Sequence, residues 1–102
     1  MSEDKLLYQV HFDSKLKTRD EVCSFIAEIA CEAEDKAEVI RQLEEREQQG
    51  STHIAEHIML PHIESGRLRK SQIVFIRLKK PIPYWNSETT DIRLVICILL
   101  KE

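Results

Sequence analysis

Glycine is nearly absent from this chain, with Gly50 and Gly66 the only two among 102 residues. A nucleotide-binding loop needs several glycines so that backbone amides can wrap a phosphate closely, and two isolated ones cannot build it. Long apolar runs are missing too. The longest, Leu94 to Leu100, falls far short of the roughly 20 residues that a helix needs to span a bilayer. Met1-Ser2-Glu3-Asp4-Lys5 has neither the basic start nor the apolar stretch of a secretion signal. Basic charge is not in excess: the net charge is −3 and the two signs are interleaved. A phosphate backbone demands a basic face, so nucleic acid is not expected as a direct partner. The three cysteines, Cys23, Cys31 and Cys97, are odd in number and lack the close spacing of metal sites. Buried free thiols in a reducing cytoplasm are the expectation, with no disulfide scaffold.

What the chain does contain is an α/β pattern on a scale that suits one domain over residues 1–102. Leu6 to Phe12 alternates apolar and polar from Tyr8 onward, as a short strand would. Thr18-Arg19-Asp20-Glu21 reads as a capping box, with the Thr18 hydroxyl on the Glu21 amide and the Glu21 carboxylate reaching back to the Thr18 amide. The helix behind it buries Val22, Phe25, Ile26, Ile29 and Ala30, at spacings of three and four. Asp35 is expected to open a second helix that turns Val39, Ile40 and Leu43 inward. Gly50 is expected to close it in a left-handed cap.

After Gly50 the texture becomes β. Ile58-Met59-Leu60 is a short apolar run closed by Pro61, and Ser71 to Leu78 is rich in β-branched and aromatic residues. Lys80-Pro81-Ile82-Pro83-Tyr84 reads as a rigid connector, because each proline fixes φ and removes a donor. Ile92 to Leu100 is nearly continuous apolar chain, the pattern of a strand buried on both faces. Two helices followed by three strands, the last nearly all apolar, indicate a sheet covered by helices. Cover for both faces of the last strand also leads us to expect a further helix beyond Glu102, so that the domain would be incomplete at its C-terminus.

Three of the four histidines fall between Arg46 and His62. His62 follows a proline directly after the short apolar run, which stiffens its backbone where the chain is expected to leave the sheet. A neutral imidazole is a competent nucleophile near its reference pKa of about 6.5. If one ring nitrogen donates to a carbonyl, the other keeps its lone pair aimed outward. To accept a phosphoryl group it needs donors nearby, and Arg46, Ser51 and Thr52 are candidates. The same spacing also fits a histidine that merely ends a strand. His53 and His57 are four apart, but in an extended segment that separates them by roughly 13 Å, too far for one metal ion. No metal and no cofactor are expected.

Other candidates are weaker. Cys23 and Cys31 have no histidine partner at a useful spacing. Glu88 and Asp91 read as loop carboxylates, Tyr84 and Trp85 as packing over a sheet edge, and His11 as structural. Arg67, Arg69, Lys70, Arg77, Lys79 and Lys80 form a basic stretch. It reads either as a solvated strand edge or as a surface for an anionic group or acidic partner.

The combination Arg46-Glu47, Gly50-Ser51-Thr52 and Ile58-Met59-Leu60-Pro61-His62 resembles the signature of the fructose/mannitol family of enzyme IIA domains of the bacterial sugar phosphotransferase system. The likeness runs from about Thr18 through the final strand, and it implies an α/β fold, a mixed β-sheet flanked by helices. It implies that His62 is the phosphoryl acceptor, with Arg46 balancing phosphate charge and Thr52 and Ser51 close to the phosphate. It implies the small phosphocarrier HPr as donor and enzyme IIB as acceptor, in the cytoplasm, with no membrane insertion. It equally implies an alternative, a phosphorylation-responsive regulatory module of the same fold in a transcription regulator or a nitrogen-type branch. The sequence departs from the family where His53, Ala55 and His57 replace glycines and where Ile63 follows His62 in place of glycine. The family's second active-site histidine lies in a helix after the last strand, beyond Glu102.

Overall fold

The computed structural model describes residues 7–102. The readings made over Met1 to Lys5, and Leu6 of the first strand, lie outside the described residues. Strand β1 (Tyr8–Ser14) is followed by helices α1 (Arg19–Ala30) and α2 (Lys36–Gln49), joined through a single 3₁₀ turn, Ala33–Asp35. Strands β2 (His53–Ala55), β3 (Ile58–Met59), β4 (His62–Ser65), β5 (Gln72–Tyr84) and β6 (Thr90–Lys101) follow. The sheet runs β1-β5-β6-β3-β2, with β4 also paired to β6. β5 and β6 are antiparallel, whereas β1 lies parallel to β5 and both β3 and β4 lie parallel to β6. The sheet is therefore mixed, as the family resemblance implied.

Local chemistry sets the helix ends. The Thr18 hydroxyl accepts from the Glu21 amide at 3.1 Å, and the Glu21 carboxylate accepts from the Lys17 amide at 2.7 Å. The expected box thus closes one residue earlier than the sequence suggested. Asp35 does not cap α2 with its side chain, because its carboxylate accepts from Arg67 at 2.8 Å. Gly50 is extended, with φ 161°, so the expected left-handed cap does not form. Instead the Arg46 guanidinium donates to the Gly50 carbonyl at 2.9 Å, placing a cation at the negative end of the helix.

The sheet face toward the helices carries Val74 and Ile76 of β5, Val95, Cys97 and Leu99 of β6, Met59 of β3 and Ile63 of β4. All are buried with Val22, Ile26, Val39 and Leu43 in one hydrophobic core. The opposite face does not match the expectation of a last strand buried on both sides. Leu94, Ile96 and Ile98 are only half-buried, and Val10 and Phe12 on β1 are exposed.

The proline segment is also not a connector. β5 continues through Pro81 and Pro83, and Ile82 and Tyr84 pair with Ile92 and Thr90 after a register shift beyond Arg77. The two prolines are two residues apart, so their missing donors fall on the same edge, which β1 does not reach because its pairing ends at Ser14 opposite Leu78. The β5–β6 turn is tied by Asn86, whose side-chain oxygen accepts from the Glu88 and Thr89 amides at 2.8 Å each. Trp85 is buried there as expected, but Tyr84 is exposed.

All three cysteines are free and buried. Burial pushes the Cys23 thiol up to about 11 and the Cys97 thiol further still, so neither is a thiolate at neutral pH. The native protein should resist a thiol-specific reagent at neutral pH and take up three equivalents only in denaturant. Rapid labelling of the native chain would contradict this packing.

Candidate active site

The chain after Gly50 reaches His62 through a tight double-back. β2 and β3 form a narrow antiparallel pair, and the Leu60 amide returns to the Thr52 carbonyl at 2.8 Å. β3 has no continuation at Leu60-Pro61. The chain then resumes beside β6 as β4, with His62 opposite Ile98. His62 therefore stands where the chain re-enters the sheet, not where it leaves it. The Pro61 carbonyl is held by the Ile98 amide at 2.9 Å, so the break is anchored on the central strand.

This break orients the imidazole. His62 Nδ1 lies 3.3 Å from the Leu60 carbonyl, an acceptor only, so Nδ1 carries the proton and Nε2 carries the lone pair. Arg46 donates from Nε to His62 Nε2 at 3.3 Å. Arg46 and His62, both singled out from the sequence, are thus brought together, with the cation facing the nitrogen that carries the lone pair. A groove of about 300 Å³ opens at the pair, lined also by Gln42, Gln49, Glu45 and Glu64.

Thr52 and Ser51 are placed differently. The Thr52 hydroxyl donates to Glu47 Oε1 at 2.7 Å, and the Thr52 amide donates to the other carboxylate oxygen at 3.4 Å. Ser51 Oγ accepts from the His53 amide at 3.1 Å. Neither residue lines the groove. Gln42 and Gln49 do, and the sequence reading missed them. Their spacing from Arg46, four before and three after, puts all three on one face of α2 and was the available signal. Gln42 Oε1 is buried without a hydrogen-bond partner among the described residues.

The remaining histidines do not join this site. His53 is exposed in β2, and His11 packs edge-on against Phe25 and bonds to Gln9. His57 occupies the β2–β3 turn with φ 72°, a conformation that favours glycine. Its Nδ1 lies 2.9 Å from the Asp91 carbonyl and 3.3 Å from the Asp91 carboxylate. Asp91 was read as a loop carboxylate, but it belongs to β6 and ties this turn. Its hydrogen bond with Arg93 holds its carboxyl below the usual range.

Residues 7–102 match the family model "Phosphoenolpyruvate-dependent sugar phosphotransferase system, EIIA 2". The chain belongs to this enzyme IIA family. Solved structures with the same fold include the nitrogen regulatory protein IIA-Ntr from Neisseria meningitidis, at TM-score 0.76 and 20% identity, covering 94% of this chain and 69% of that one. IIA mannitol from Escherichia coli gives TM-score 0.68 and 24% identity, with 91% and 69% covered. The complex of enzyme IIA-Mtl with phosphorylated enzyme IIB-Mtl from the same organism gives 0.62 and 22%, with 93% and 72% covered. Comparison with curated proteins returned no match.

In this IIA chain the Glu47–Thr52 clasp ties the helix end to the start of the β segment. Thr52→Val removes the hydroxyl and leaves the half-buried Glu47 carboxylate only the amide, so it should cost about 0.5–1.5 kcal/mol in urea unfolding. A loss within a few tenths of a kcal/mol would show that the clasp is idle.

Proposed function

We propose that this protein is a histidine phosphocarrier of a sugar phosphotransferase system, with His62 Nε2 as the acceptor. The observation that carries the reading is the polarity of the imidazole: Nδ1 is engaged by the Leu60 carbonyl while Nε2 faces the Arg46 guanidinium.

The chemistry follows from that arrangement. The Nε2 lone pair attacks phosphorus in line as the phosphorus–nitrogen bond of a phosphohistidine donor breaks, and the departing donor imidazole takes back its electron pair. The new bond leaves His62 with its Nδ1 proton still shared with Leu60. Negative charge on the three equatorial oxygens calls for preorganised donors. Arg46, already at Nε2, would exchange that nitrogen for those oxygens, and Gln42 and Gln49 offer amides on the same helix face. Thr52 and Ser51 act as positioning residues. The donor phosphohistidine is already activated, so the step requires neither nucleotide nor metal.

By the family resemblance the donor is HPr and the acceptor an enzyme IIB, both in the cytoplasm. The complex of IIA-Mtl with phosphorylated IIB-Mtl supports that second partner by analogy of fold. A second reading, a phosphorylation-responsive regulatory module, is favoured by the side chains at His53, Ala55 and His57. They change the surface beside the site where the family carries glycine, and IIA-Ntr shows that the same fold belongs to a nitrogen regulatory protein.

Incubation with phosphoenolpyruvate, enzyme I and HPr tests the carrier reading. His62→Ala should abolish phosphorylation, and Arg46→Gln should slow it by about a hundredfold with His62 still labelled. Full labelling of His62→Ala would refute the assignment. Mixing the phosphorylated chain with enzyme IIB separates the two readings: discharge marks a carrier, and persistent phosphohistidine marks a regulator.

A further inference from the structure

The basic stretch of the sequence divides in three dimensions. Arg67 and Arg69 are held by ion pairs with Asp35 at 2.8 Å and Glu32 at 2.7 Å. Lys79 and Lys80 are not so held. They sit in β5 where its register against β6 shifts, just past the last β1 pairing at Leu78. There they meet Lys15 and Lys17 from the connection between β1 and α1. The four lysines line one cleft of about 610 Å³, whose other walls are Ser14, Leu16, Pro81 and Pro83. Among the described residues no acidic side chain lines it. Among the described residues, none of the four lysines takes part in an ion pair.

Protection of a strand edge does not account for this arrangement. The edge is already blocked by Pro81 and Pro83, which present no donor to an incoming strand. Lys15 and Lys17 lie on no edge of β5, yet they converge on the same space. Four like charges gathered in a chain of net charge −3 mark a local preference for anions. Lysine binds phosphate as a mobile point charge, and the rigid prolines with Leu16 give the cleft an apolar floor. Its volume falls within the range of small-ligand sites.

We propose that this cleft binds a small polyanion, a molecule carrying at least two phosphate groups on a compact body. The cleft shares no residue with the groove at His62. It lies by β1 and β5 on one side of β6, whereas His62 stands in β4 on the other. A ligand there leaves the nucleophile unobstructed, and the inference holds whether or not His62 is phosphorylated.

Titration calorimetry of the full chain with inorganic tripolyphosphate tests it. One equivalent should bind, more weakly as salt rises. Lys79→Gln/Lys80→Gln should lose at least tenfold in affinity, while Lys70→Gln/Arg77→Gln, the same change of charge outside the cleft, should lose less than twofold. Amide NMR shifts should centre on Lys15 to Lys17 and Lys79 to Ile82. Equal weakening by the two double variants, or no binding at millimolar probe, would overturn the proposal. Tighter binding of a polyglutamate peptide than of tripolyphosphate would overturn it in favour of an acidic protein surface.

Discussion

His62 is gripped from two sides, by a carbonyl that fixes its proton on Nδ1 and by a guanidinium that faces the bare Nε2. Both contacts depend on the interruption at Leu60-Pro61. An unbroken strand would commit the Leu60 carbonyl to the ladder with β6. The proline removes a donor and stops β3, and the Ile98 amide catches the Pro61 carbonyl to restart pairing at His62. A defect in strand pairing thus becomes a device for selecting a tautomer, and it is anchored on β6.

Helix α2 supplies the other half through two consecutive residues with different duties. Arg46 spans from the Gly50 carbonyl to His62, and Glu47 clasps Thr52 by hydroxyl and amide. The cation gains from the helix C-terminus, where the backbone dipole is negative. The carboxylate draws the departing chain back so that Thr52 can receive the Leu60 amide. The helix end, the β2–β3 excursion and the nucleophile therefore form one hydrogen-bonded unit.

Much of this was legible in the sequence because it is local. The Thr18 cap and the apolar spacing of α1 and α2 follow rules that act over a few residues, whereas Arg46 and Leu60-Pro61-His62 were singled out through the family resemblance. Errors came where distant pairing overrode local chemistry. Pro81 and Pro83 read as a connector, yet the register shift against β6 and the free edge beside them let β5 continue. Asp35 does open α2, but Arg67 rather than the helix amides claims its carboxylate. The half-exposed face of β6 shows that an apolar run reports preference for burial, not the presence of cover. Lys15 and Lys17 lie too far along the chain from Lys79 and Lys80 for any local pattern to join them.

The account turns on which nitrogen of His62 takes the phosphoryl group, and NMR of the phosphorylated, isotope-labelled chain reads this directly from the ring nitrogen shifts and their coupling to phosphorus. The geometry requires a single phosphohistidine bonded at Nε2, with the Nδ1 proton retained. Phosphorus on Nδ1, or on a histidine other than His62, would contradict it.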